Sequence, residues 1–140
     1  MIEKIEYKGT LLAVVLRASY ELEGVNFITT NDNPLQVGVL IHKQGAKLKP
    51  HFHKSSPKII GEVQEVLHIE YGEVEAGFYD EKGKKIESIT LKFGDTLLLV
   101  SGGHGLDVLK DCKIIEVKQG PYYGPEVDKE QLNVEREGRK

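Results

Sequence analysis

With a single cysteine, Cys112, the chain can close no internal disulfide and can build no zinc site from thiolates alone. Cys112 stands in Asp111-Cys112-Lys113-Ile114-Ile115-Glu116-Val117, where it reads as a small buried hydrophobe rather than a nucleophile. Long apolar runs are missing too: the longest, residues 11–16 and 96–100, fall far short of the roughly 20 residues a membrane-spanning helix needs. The start, Met1-Ile2-Glu3-Lys4-Ile5-Glu6, lacks the basic stretch and apolar run of a signal peptide, so a cytoplasmic protein is expected. Neither sign of charge dominates. The 19 basic and 22 acidic side chains are interspersed, so no surface is built to neutralise phosphates, and neither nucleic acid nor a membrane is an expected partner.

What is present is a globular balance of 39% hydrophobic and 29% charged residues, at a length of 140 that suits one domain and not two. Apolar clusters are short, rich in Val, Ile and Leu, and bounded by Gly, Asn, Asp or Pro, which is the pattern of strands and turns. Strands are expected at 2–7, 11–18, 26–29, 35–42, 48–54, 63–71, 73–79, 86–93, 96–100, 105–109 and 113–118. Turns are expected at Asn31-Asp32-Asn33-Pro34, at Tyr71-Gly72-Glu73 and, most strongly, at Asp80-Glu81-Lys82-Gly83-Lys84, which the flanking strands frame as a hairpin. So many closely spaced strands predict an all-β sandwich or barrel over residues 1–120. Residues 121–140 form a tail of different character, Gly- and Pro-rich and then densely charged, with a short helix expected at 128–136.

Pro50-His51-Phe52-His53 carries the chemistry. On a strand, alternate side chains share a face, so His51 and His53 point together while Phe52 points away. Paired neutral imidazoles are a common first half of a transition-metal site. Two further segments matter. Glu65-Val66-Leu67-His68-Ile69-Glu70-Tyr71-Gly72 sets an acid at the head of a strand that ends on a glycine, and Gly94 to His104 sets a histidine after another glycine-opened strand. Alternation from Glu65 puts Leu67 and Ile69 on its own face and His68 and Glu70 on the other, which favours Glu65 over Glu62 as the carboxylate donor and turns His68 away. Gln64 is a candidate supporting residue, while His42 reads as a surface histidine.

These segments resemble the two sequence motifs of the cupin superfamily. Gly45, His51, His53, Glu65 and Gly72 match the fixed letters of the first motif, and Gly94, Gly102 and His104 match part of the second. The span from Gly45 to His104 departs from the pattern in three places. Residues 54–64 make an insertion between the second histidine and the glutamate, Val100 stands where the motif has proline, and one residue fewer separates Gly102 from His104.

The resemblance implies a double-stranded β-helix, the cupin or jelly-roll barrel, with His51, His53, Glu65 and His104 gathered on one divalent metal in its interior. Three nitrogens and a carboxylate suit Fe, Mn, Co, Ni, Cu or Zn and disfavour Ca and Mg. It further implies a metal-dependent enzyme acting on a small molecule, of dioxygenase or sugar isomerase/epimerase type, with a non-catalytic module binding a sugar or organic acid as the alternative. A homodimer is expected, because the apolar N-terminal strands need a partner surface and many cupins are dimeric. The run Gln119 to Pro125 either covers the barrel mouth or fastens the tail, and residues 54–58 read as a solvated charged loop.

Overall fold

A computed structural model describes residues 1–134. The chain is nearly all β, and most of its strands form one strongly curled half-barrel sheet. The strands are β1 (Ile2–Tyr7), β2 (Thr10–Leu16), β3 (Gly24–Phe27), β4 (Gly38–Ile41), β5 (Glu65–Tyr79), β6 (Lys85–Lys92), β7 (Thr96–Leu99) and β8 (Gly103–Lys118), followed by one helical turn, α1 (Pro125–Asp128). Six strands make the sheet in the order β1-β2-β7-β5-β6, with β8 laid antiparallel along β5, while β3 and β4 form a separate two-stranded ribbon. No helix among the described residues is long and apolar enough to cross a membrane.

The spine is β5. Leu67 and Ile69 are buried before its middle, and Val74, Ala76 and Phe78 after it, so the inward-facing positions change from odd to even numbers. An irregularity at 69–74 causes the change, because one extra residue in a strand reverses which face every later side chain meets. Gly72 sits inside that irregularity at φ 92°, and a Cβ there would collide with the Asp111 carbonyl and with Cys112. Only glycine fits both conditions. The strand therefore bends while both of its halves face one core, built from Ile5, Leu12, Ala13 and Val15 of β1 and β2, the five β5 residues, Leu91, and Leu97 and Leu99 of β7.

Several expectations change in detail. Tyr71-Gly72-Glu73 is a bend within one continuous strand rather than a turn between two, and residues 105–109 and 113–118 likewise merge into β8. Residues 48–54 form no strand: the whole of 42–64 lacks regular structure, since no strand among the described residues pairs with it. The helix falls at Pro125–Asp128 instead of 128–136, because proline's fixed φ suits a first helical turn and Lys129 is already extended at φ −134°. Residues 135 and 136 of that expectation lie outside the described residues. The hairpin at 80–84 is present: Asp80 Oδ1 accepts hydrogen bonds from the backbone N–H of Lys82 and Lys84, both at 3.0 Å, and β5 pairs with β6 around it.

A polar clamp closes one end of the sheet. Asp95, buried, accepts from Arg17 Nη1 at 2.8 Å and from the backbone N–H of Ala18 and Lys92, while Arg17 Nε donates to Glu3 Oε1 at 2.6 Å. The Arg17 hydrogen bond holds the Glu3 carboxyl below its ordinary value, and the same contact raises the Arg17 guanidinium. Cys112 is half-buried and packs against the core, as a small hydrophobe does.

Candidate functional site

Glu65 opens β5, opposite Leu99 of β7 on one side and Lys118 of β8 on the other. His104, near the start of β8, lies opposite Phe78 at the far end of β5. Along a straight strand the 13 steps from Glu65 to Phe78 would cover about 43 Å, at roughly 3.3 Å per residue. Yet His104 Nε2 lies 3.3 Å from Glu65 Oε2. Only the curl of β5 and β8 brings them together. Parity agrees: Glu65 shares its face with buried Leu67 and Ile69 before the bend, and His104 shares one with buried Phe78 after it, so both enter the concave side.

The Glu65 carboxylate is well held. Its side chain is 13% exposed against 37% for His104, and its other oxygen takes a contact of 3.5 Å from Lys118 Nζ. Lys118 in turn donates to Glu116 Oε1 at 2.6 Å, which together with Glu65 raises its pKa, and its ammonium lies over the Tyr122 ring at 5.0 Å. Lys118 and Tyr122 escaped the sequence motifs because neither belongs to a recognisable spacing. Strand pairing alone reveals that residue 118 falls opposite residue 65.

His51 and His53 lie apart from that pair, exposed in the irregular segment 42–64. Their rings still keep company, with centroids 5.1 Å apart, and His51 Nδ1 is 3.0 Å from the Lys49 carbonyl. The four expected donors thus stand as two pairs, and among the described residues no group of three or more His, Cys, Asp or Glu side chains is gathered closely enough to hold an ion. The Glu65–His104 half suits a metal in donor chemistry and in position on the concave face. The His51–His53 half suits it in chemistry alone.

The remaining candidates have plain structural partners. His68 faces away from Glu65, as alternation requires, with Nδ1 2.9 Å from Thr96 Oγ1. Gln64 is 3% exposed, and its side-chain amide bonds Asn33, the Leu35 N–H and the Val100 carbonyl, which ties the chain entering β5 to its neighbours. Gln119 Oε1 accepts from the Gln64 backbone N–H at 2.8 Å, while Gln119 Nε2, beside Glu65, is buried and has no hydrogen-bond partner among the described residues. His42 and Glu62 are exposed.

Glu65 and His104 open onto a cavity of about 780 Å³, bounded on one side by β7, β8 and the 100–102 turn and on the other by residues 128–134. That volume lies within the range of small-molecule sites, roughly 300–1,000 Å³. Comparison of the chain with protein-family models, with curated proteins and with solved structures finds no match.

Proposed function

We propose that the protein is a metal-dependent cupin that acts on a small molecule, holding one divalent transition metal through His51, His53, Glu65 and His104. The observation that carries this reading is the 3.3 Å approach of His104 to Glu65 across the curl of the sheet. Two residues that the sequence motifs mark as ligands, distant in the chain, meet on the concave face beside a cavity of suitable size.

Two more observations favour closure of the half-barrel into a double-stranded β-helix by the segment that bears His51 and His53. The outer edge of β8 pairs with no strand among the described residues, and Leu106 and Val108, on the same face as His104, are 39% and 62% exposed. Facing that need, residues 42–64 carry Leu48, Phe52, Ile59, Ile60 and Val63, all exposed. An open strand edge and unburied apolar side chains on both parties are stabilised by pairing. Residues 48–54, laid along the start of β8, would carry the two imidazoles toward His104. A metal so held supplies Lewis-acid or oxygen-activating chemistry, of the kind that isomerases, epimerases and dioxygenases use.

A second reading, a binding module that captures a sugar or organic acid without turnover, is favoured by the state of Glu65. Its two oxygens contact His104 Nε2 at 3.3 Å and Lys118 Nζ at 3.5 Å, so the carboxylate has a protein partner on each oxygen. Association of two copies through the outer edge of β1, which ends the sheet order, is compatible with either reading.

Metal analysis of protein purified without added metal tests the first reading. The expected result is close to one transition-metal ion per chain, reduced at least tenfold in His51→Ala plus His53→Ala and again in His104→Ala. Metal absent from the wild-type chain, or undiminished in those variants, would refute it. Oxygen uptake and product analysis with candidate sugars then separate turnover from capture.

A further inference from the structure

The cavity beside Glu65 and His104 has a wall that is not part of the sheet. Residues 128–134 leave α1 and run across the mouth, contributing Asp128, Lys129, Glu130, Gln131, Leu132 and Val134 to its lining. Two contacts seat this segment. A Cβ at Gly103 would collide with Leu132 Cδ1, so the first residue of β8, next to His104, leaves the space that the Leu132 side chain takes. At the 80–84 hairpin a Cβ on Gly83 would lie 2.8 Å from the Asn133 carbonyl oxygen. The root of the segment is fixed as well, since Asp128 Oδ2 accepts the Tyr123 backbone N–H at 2.7 Å and Tyr122 lies under Lys118, the partner of Glu65.

We propose that residues 128–134 are the specificity-determining wall of the Glu65–His104 cavity, admitting a small molecule with a polar head toward those two residues and an apolar flank along Leu99, Leu106 and Leu132. This builds on the small-molecule reading above and is independent of whether a metal is bound. Two packing sites, occupied by backbone and by the half-buried Leu132, give the segment a defined seat. A wall so seated is separable from the fold: the core residues lie on β1, β2 and β5–β7, and none belongs to the segment.

The test uses two variants, Leu132→Asp in the full chain and a chain ended after Val127. Their readouts are fluorescence of the dye anilinonaphthalene sulfonate and carbethoxylation of His104 by diethylpyrocarbonate, mapped by mass spectrometry. His51 and His53, exposed and outside the cavity lining, serve as internal references. In the wild type, added dye should slow the modification of His104 alone; both variants are expected to keep the wild-type near-ultraviolet circular dichroism while dye fluorescence falls severalfold, His104 modification rises severalfold and the dye no longer slows it. Unchanged dye binding and unchanged His104 reactivity in a folded variant overturn the proposal. Loss of the near-ultraviolet signal in both variants overturns it too, because the segment would then be core rather than wall. Both readouts are taken on protein stripped of metal with a chelator, so ligation of His104, His51 or His53 alters neither and the metal assignment stands or falls separately.

Discussion

The two halves of the candidate site lie in contrasting surroundings. Glu65 and His104 sit on long paired strands, Glu65 on the face of buried Leu67 and Ile69 and His104 opposite buried Phe78, whereas His51 and His53 flank a phenylalanine that is 99% exposed. The difference teaches where position comes from. A side chain on a packed, hydrogen-bonded strand is placed by dozens of interactions that have nothing to do with its chemistry, and one on an unpaired segment is placed by its immediate neighbours only.

The largest effect that sharpens this contrast concerns the two phenylalanines. Phe78→Ala should cost about 3–5 kcal/mol in urea unfolding, because it empties a filled core position. Phe52→Ala should change the stability of the metal-free protein by less than about 0.5 kcal/mol. A comparable loss at both positions would mean that residues 48–54 are already docked without an ion.

Next comes the bend that brings the ends of β5 and β8 together. Gly72→Val forces a branched side chain into positive φ and against the backbone of β8, so a loss of more than about 2 kcal/mol in urea unfolding is expected. A valine tolerated there would show that the bend does not depend on glycine.

A smaller effect probes the clamp at the end of the sheet. Removing the cation with Arg17→Met leaves the Asp95 carboxylate buried without a charge partner and Glu3 without its donor, for a loss of about 1–2 kcal/mol at pH 7. Because the Glu3 pKa is lowered in the folded state, its contribution is present above the ordinary value of 4.5 and fades as pH falls through the lower folded value. The wild-type advantage over the variant should therefore shrink as pH falls from 4.5 through the lower folded value of Glu3, as read by unfolding at a series of pH values. A gap that stays constant down to pH 3 contradicts this account of the clamp.

Much of the sheet was legible because alternation and turn chemistry are local. Asp80 to Lys84 announced its hairpin, and the face shared by Glu65, Leu67 and Ile69 was read from period-two spacing alone. The continuity of β5 through Gly72 was not legible, since a glycine between two strand-like runs marks a bend as well as it marks a turn, and only pairing with β8 separates the two. Leu48 to Lys54 reads as a strand by composition, yet a strand exists only where a partner accepts its hydrogen bonds. Lys118 and the wall at 128–134 carry no spacing signal, because their relation to the site is made by the fold.

The central claim is that the curl of β5 and β8 prepares half of a metal centre which His51 and His53 complete. Counting the imidazoles bound to Cu(II) in the loaded protein by pulsed electron paramagnetic resonance tests it most directly. The account predicts three, falling to one in His51→Ala plus His53→Ala and to two in His104→Ala. A single imidazole in the wild type, or a count unaffected by replacing residues 51 and 53, would contradict it.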